Sequence, residues 1–338
     1  MFISADSLDD LLTKVFKKLL ISGIKIQPTK GPARELAGTL LRLKSPRARL
    51  SRTDKRGILF SCLGEWLWYL AGTNSLDYIK YYLPHYSNFS DDKKSVYGGY
   101  GPRLFGAGQH DQIFRVINLL RRKQDSRQAV IQIFDRRDLL KPHKDIPCTC
   151  TFQFMIRNRR LDMLTTMRSN DVYMGLPHDI FAFTMIQELV ARAIGVELGE
   201  YKHFVGSLHL YDCDRDHARA YLDEGWQSHV PMPPMPLGDQ WNSVRALLKA
   251  ESQLRGGRTA NFENALHDSY WIDLFRILKI FSLTKRGAKS SEIRSVMTKM
   301  SEPMYAPYLK KRLEKTTSKN SQLDIFASID KSKTTQGG

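Results

Sequence analysis

Cys148 follows Ile146-Pro147, and after it come Arg168-Ser169-Asn170-Asp171, Gly175-Leu176-Pro177-His178-Asp179 and Gly206-Ser207-Leu208-His209-Leu210-Tyr211. A thiol, a guanidinium beside a hydroxyl, two carboxylates and an imidazole followed by a phenol can together hold an anionic nucleotide while a sulfur attacks its base. Singly, each has a plainer reading: Cys148 as a small buried residue, Asp179 as a helix N-cap, His209 and Tyr211 as one face of a structural strand. Glu65 is a further candidate, because it stands inside the apolar run from Ile58 to Leu70. A carboxylate in a buried helix is costly unless it is paired or functional.

The elements that must position these groups are legible in outline. Leu8, Leu11, Leu12, Val15, Phe16, Leu19 and Leu20 keep helical spacing behind Ser7, which predicts a helix over 8–21 ended by Gly23. Strand-like Gly38 to Leu43 follows, and Ile58–Leu70 is a buried helix stopped by Gly72. Residues 81–101, rich in tyrosine and glycine, read as a loop crossing a cleft. Next come a helix over Ile113–Leu120, a strand over Ala129–Phe134, and two strands, Cys150–Ile156 and Leu161–Thr166, joined by a turn. Asp179 opens a long helix to about Ile194, closed by Gly195, and Tyr201–Tyr211 is a strand leading into a helix to about Asp223. The run from Pro231 to Pro236 marks the edge of the core; helical patterns at about 240–254, 266–283, 289–300 and 303–315 form an appendage, and 316–338 reads as a mobile tail.

Length and composition allow one large domain or two: 338 residues, 42% hydrophobic, with no apolar run long enough to span a bilayer. Met1 to Ser7 lacks the order of a signal peptide, so the chain is expected in the cytoplasm. The four cysteines, Cys62, Cys148, Cys150 and Cys213, are too few for a disulfide framework. Cys148 and Cys150 share a face if their segment is a regular strand, but no second Cys/His pair at zinc spacing follows, so no metal is expected. The net charge of +17 favours anionic partners without choosing among them.

The pairing of Pro147-Cys148 with Gln153-Phe154, then Arg168 to Asp171, Gly175-Leu176-Pro177 and His209-Leu210-Tyr211, resembles the thymidylate synthase family in order and spacing. The likeness extends back through Asp125-Ser126-Arg127 and Glu65-Trp66-Leu67-Trp68-Tyr69-Leu70-Ala71-Gly72, covering about residues 30 to 220. It implies a three-layer α/β (α+β) fold with a large mixed sheet, working as a homodimer. The expected organisation is a catalytic core over 1–230, a helical C-terminal extension packed on it over 231–315, and a disordered basic tail over 316–338. By resemblance Cys148 is the nucleophile that adds to C6 of a pyrimidine, Glu65 orders water and moves protons, and Tyr97 helps order the cysteine's surroundings. Arg168, Ser169 and the loop arginine Arg34 bind the substrate phosphate, with Arg127 lent by the partner subunit; His209 and Tyr211 hold the sugar hydroxyl. Asp171 and Gly175 match the side that takes 5,10-methylenetetrahydrofolate, the co-substrate.

Where the sequence departs from the family, it points to a different product. Asp179 stands where thymidylate synthases have the asparagine that reads uracil; a carboxyl group can accept from the C4 amine of cytosine and share a proton with N3. Aspartate here is what the family's deoxycytidylate hydroxymethylases carry. The stretch from Tyr81 to Phe89 has no tryptophan where thymidylate synthases wall off water, and offers His85 and Asn88 instead. Gln128 replaces a second arginine, Thr149 and Met167 replace the usual histidine and glutamine, and the folate-closing C-terminus is missing. The expected activity is therefore a transferase reaction, 5-hydroxymethylation of CMP or dCMP with methylenetetrahydrofolate and water. The alternatives are a thymidylate synthase turning dUMP into dTMP, with dihydrofolate produced, and, given the charge, a nucleic-acid-binding homologue without catalysis; nucleic acid and membrane are not expected as partners.

Overall fold

A computed structural model of the chain describes residues 1–54, 58–106, 111–260 and 268–314. The tail expected over 316–338 lies outside the described residues. The chain falls into two compact units, Met1–Val244 and a second beginning at Arg245.

The first unit is built on a seven-stranded mixed sheet. Its strands are β1 (Phe2–Ala5), β2 (Ile24–Ile26), β3 (Ala33–Leu43), β4 (Val130–Gln132), β5 (Thr149–Arg157), β6 (Arg160–Asp171) and β7 (Glu197–Tyr211). They run in the order β1-β3-β7-β6-β5-β4, with β2 beside β3. β1 with β3 and β6 with β7 are parallel, and the other pairs are antiparallel. The turn between β5 and β6 uses positive φ at Asn158 and Arg159, the backbone that a tight hairpin of native twist requires.

Against the sheet lies α6 (Gly175–Ile194), whose side chains are nearly all buried because apolar residues cover its whole circumference. It begins at Gly175, four residues before the expected start. Pro177 is tolerated because it falls in the first turn, where backbone N–H groups have no intrahelical partner. Asp179 is thus an inward-facing residue of the second turn and not an N-cap. The buried α2 (Leu59–Leu70) packs on α6. His178 ties the two: one ring nitrogen is 2.9 Å from Ser61 Oγ on α2, and the other is 2.9 Å from Met174 O. This fixes the rotation of the helices that carry Glu65 and Asp179.

The first helix, α1 (Leu8–Ser22), is capped as expected by Ser7, whose Oγ accepts from Asp10 N at 3.1 Å. The stretch expected as a loop over 81–101 holds a 3₁₀ turn over Pro84–Phe89 and then runs without helix or strand over 90–100, between α3 (Leu76–Tyr82) and the single turn α4 (Gly101–Leu104). The tyrosines there are core contacts: Tyr78 and Tyr82 are buried, and the Tyr82 ring fills the space a side chain on Gly64 would need. α5 (Gln112–Arg122) and α7 (Arg215–Asp223) match their expected positions closely.

The proline run stays with the first unit, so the division falls after Val244 and not at 230/231. Met232 and Met235 are buried; Met232 N donates to Arg47 O at 2.8 Å, and Met235 N donates to Glu188 Oε1 at 3.1 Å. Glu188 on α6 is also clasped by Arg47 and Arg49. Removing one member of such a buried cluster costs about 3–5 kcal/mol, because it strands the others.

The second unit contains α9 (Ser269–Lys285) and α10 (Ser290–Met297), and α8 (Trp241–Arg255) runs into it. Buried Asp273 accepts from Ser301 N at 3.0 Å and Glu302 N at 2.8 Å, which pins the chain after α10 back onto α9.

Candidate active site

Cys148 sits on the residue before β5, and both sides of it are held. Arg168 Nε donates to Pro147 O at 3.0 Å, Arg168 Nη2 to Ile146 O at 2.9 Å, and the Arg168 amide to Cys148 O at 2.9 Å. On the other side Thr149, fully buried, donates from its amide and its hydroxyl to Tyr100 Oη at 3.3 and 3.0 Å. The register between β5 and β6 then slips between Thr149 and Thr151. That bulge breaks the two-residue alternation, so the shared face expected for Cys148 and Cys150 does not follow. Burial pushes the Cys148 thiol up to about 11, opposed by the charge of Arg168 and reinforced by Asp145 and Asp179.

Two carboxylates, Asp145 and Asp179, lie within electrostatic reach of the thiol, and Glu65 lies within reach of both. Glu65 is buried and accepts a hydrogen bond from Tyr86 Oη; burial raises its pKa to about 7 despite Tyr86 and Tyr69. Asp179 is held well above the ordinary carboxylate range by burial and by the nearby charge of Glu65, and its Oδ2 accepts from Asn170 Nδ2 at 2.8 Å. Asp145, three residues before the nucleophile, is raised by burial and lies within electrostatic reach of Cys148, Glu65 and Tyr86. No sequence motif pointed to Asp145 or Tyr86. Their only signals were the nearness of Asp145 to Cys148 and the place of Tyr86 in the expected water-facing wall, where His85 and Asn88 are exposed instead.

The raised Glu65 carries a stability consequence. Its shift from 4.5 to about 7 corresponds to roughly 3 kcal/mol. Below pH 4.5 the proton is bound in both folded and unfolded chains, and the group is neutral to stability. Above about pH 7 it is ionised in both, and the full cost of burying the charge stands. Glu65→Gln, which keeps an acceptor for Tyr86, should therefore be more stable than the parent by up to about 3 kcal/mol at pH 8 and equal to it near pH 4. Denaturant unfolding at the two pH values measures this; no gain at pH 8 would mean that the burial cost is already compensated.

Where β6 and β7 run side by side, Ser169 Oγ lies 3.5 Å from His209 Nδ1, and the His209 and Tyr211 rings meet edge-on at 4.9 Å. Asp171 Oδ1 accepts from Tyr173 N at 2.8 Å and Met174 N at 3.3 Å, shaping the turn into α6. A side chain on Gly175 would place its Cβ 2.9 Å from Asn170 Nδ2, so glycine is required there for packing beside the base-reading pair. Arg127 is exposed, and among the described residues its side chain has no ion pair.

Two residues do not join the others. In the register of β3 with β7, Arg34 stands opposite Leu210, whereas His209 and Tyr211 stand opposite Glu35 and Ala33. Directly opposed residues share a face, so Arg34 projects to the side away from His209 and Tyr211. The cation from that part of the chain that reaches the site is Lys30, which lowers the Cys148 thiol and sits 4.4 Å over the Phe89 ring. Tyr97 donates to Asp138 Oδ1 at 3.0 Å and stacks on His143 at 3.5 Å, beside a cavity of about 960 Å³ lined also by Arg103 and Arg115. The phenol that meets the nucleophile's strand is Tyr100. Tyr-Gly occurs at both 97–98 and 100–101, and only the fold distinguishes them.

Among the described residues no group of three or more His, Cys, Asp or Glu is arranged to hold a metal, and no helix is long and apolar enough to cross a membrane. Two curated relatives are both named deoxyuridylate hydroxymethyltransferase. The one from Delftia phage PhiW-14 is 29% identical over 216 residues, 60% of this chain and 59% of the relative. The one from Pseudomonas phage M6 is 29% identical over 215 residues, 62% of this chain and 61% of the relative. The chain thus spans about three fifths of the length of these relatives. A sequence profile described as thymidylate synthase matches residues 28–254, two thirds of the chain and nearly all of the unit that holds Cys148, Glu65, Arg168 and Asp179. The mixed sheet, the backbone around Cys148 clasped by Arg168 and the extent of that match together assign the chain to the thymidylate synthase family.

Proposed function

We propose that the protein hydroxymethylates C5 of a cytidine monophosphate, CMP or dCMP. The observation that carries this is Asp179: a buried carboxyl whose pKa is well raised and whose one oxygen already accepts from Asn170. A carboxyl in that state has both an acceptor and a proton, the two things that N3 and the C4 amine of cytosine ask for.

5,10-Methylenetetrahydrofolate, the co-substrate the family uses, supplies the one-carbon unit. Asp171 fits its side of the site, since Oδ1 is taken by backbone N–H groups and the described residues leave Oδ2 without a hydrogen bond. The chain's own part begins as Cys148 Sγ bonds to C6, its proton passes to a neighbouring carboxylate, and the ring's double-bond electrons make C5 nucleophilic. After C5 has taken the one-carbon unit and lost its hydrogen as a proton, with tetrahydrofolate as the leaving amine, the oxygen of water joins that carbon and a water proton leaves. The sulfur–C6 bond then breaks and restores the ring. Glu65, with a pKa near 7, is suited to taking and returning these protons. Lys30, Arg168 and Ser169 face the phosphate, and His209 and Tyr211 face the sugar. Arg127 reaches across a homodimer interface to the partner's phosphate; a strictly monomeric chain in sedimentation would remove that role.

A second reading is hydroxymethylation of deoxyuridylate, favoured by the names of the two phage relatives. Incubating the protein with methylenetetrahydrofolate and each of CMP, dCMP, UMP and dUMP, and weighing the products, separates the two. A gain of the mass of CH₂O on a cytidylate is expected. The same gain confined to a uridylate selects the second reading, and a methylated uridylate with dihydrofolate released rules out both.

A further inference from the structure

Behind Asp179 runs a buried line of polar groups that leads away from the cleft. Asn170 Nδ2 donates to Asp179 Oδ2 at 2.8 Å, and Asn170 Oδ1 accepts from His203 Nε2 at 3.1 Å. His203 Nδ1 lies 2.7 Å from Tyr201 Oη, which lies 3.1 Å from Thr165 Oγ1. His203, Tyr201 and Thr165 are at most 1% exposed, and the His203 ring also stacks on Phe183. Burial keeps His203 neutral, with its pKa lowered to about 3, so it carries one ring proton.

We infer that His203, held by Tyr201, is a positioning residue that sets which pyrimidine the site accepts by fixing the orientation of the Asn170 amide. A neutral imidazole with its proton on Nε2 can only donate to Asn170, so the amide oxygen must face His203 and the amide nitrogen must face Asp179. Asp179 Oδ2 is thereby an acceptor, and a proton on this carboxyl belongs on Oδ1. With the amide turned over, its oxygen would face Asp179 and hold the proton on Oδ2, leaving Oδ1 an acceptor where it had been a donor. That exchange is the difference between cytosine, with an acceptor at N3 and a donor at C4, and uracil, with a donor at N3 and an acceptor at C4. Tyr201 completes the device by turning its one hydroxyl proton from Thr165 Oγ1, 3.1 Å away, to Nδ1, 2.7 Å away, so that this nitrogen stays bare.

The inference rests on the cytidylate reading, and the experiment keeps the two apart. The quantity to measure is kcat/KM for dCMP divided by kcat/KM for dUMP. His203→Phe removes the donor, His203→Gln keeps an N–H near the Nε2 position, and Tyr201→Phe removes only a hydroxyl and serves if the first variant does not fold. The ratio should fall by about tenfold or more in His203→Phe and Tyr201→Phe, mainly through KM for dCMP, and recover in His203→Gln. A merely structural role would slow both nucleotides alike and leave the ratio at the parent value, which overturns the inference. A parent enzyme that does not prefer cytidylate instead overturns the reading beneath it.

Discussion

Replacing Cys148 by serine should abolish turnover of every pyrimidine nucleotide, by about 10⁴-fold or more, equivalent to some 5–6 kcal/mol of barrier. The thiol is already disfavoured as an anion, since burial raises it to about 11, and Arg168 and Lys30 only partly offset this. Sulfur can still act because its proton leaves as the bond to C6 forms, with Asp145 and Asp179 close enough to feel its charge. A serine hydroxyl in the same place is far less acidic and less nucleophilic, and no imidazole is paired with position 148 to activate it. The Tyr100–Thr149 bonds and the Arg168 clasp of the backbone do not involve the sulfur, so the variant should fold and bind nucleotide normally. Single-turnover product formation is the measurement, and native-rate conversion by the serine variant would end the proposal of a covalent route.

Replacing Asp179 by asparagine should exchange one base for another. Two hydrogen bonds are mismatched when the carboxyl becomes an amide that turns its oxygen to N3, each costing about 1–3 kcal/mol where the groups are buried. Cytidylate turnover should therefore drop by about 10²- to 10⁴-fold while uridylate turnover rises from background. Folding should not suffer. Asparagine has almost the same shape, and the cost of a buried acid disappears, which offsets the one bond that Asn170 loses when the new amide turns its oxygen to N3. Parallel rates on dCMP and dUMP decide the matter, and unchanged preference in the variant would show that position 179 does not read the base.

Much of this site is legible in the sequence because its residues are chemically unusual and keep a fixed order. Arg168, Ser169 and Asp171 lie on β6, His209 and Tyr211 on the neighbouring β7, Asp179 on the helix between those strands in the chain, and Cys148 just before β5, so short connections bring them together. What local reasoning lacked was register. Whether Arg34 or Lys30 faces the cleft depends on which residue of β3 stands opposite Leu210, and a shift of one residue reverses every side chain. The same holds for Tyr97 and Tyr100, two copies of one dipeptide separated by a turn. Gly-Leu-Pro before Asp179 carries the marks of a loop, and only packing on the sheet makes it the first turn of α6. The aromatic-rich stretch around 76–89 hides α3 because tyrosine serves loops, strands and cores alike.

Gly175 joins two demands that ordinarily have nothing to do with each other. As the opening residue of α6 it is an obvious place to improve, since alanine is favoured over glycine in helices by about 1 kcal/mol. Yet the added methyl would press on the nitrogen of Asn170 from 2.9 Å away. A stabilising programme guided by helix preference alone would choose this position early, and would displace the amide on which Asp179 rests, to the loss of packing and substrate discrimination together.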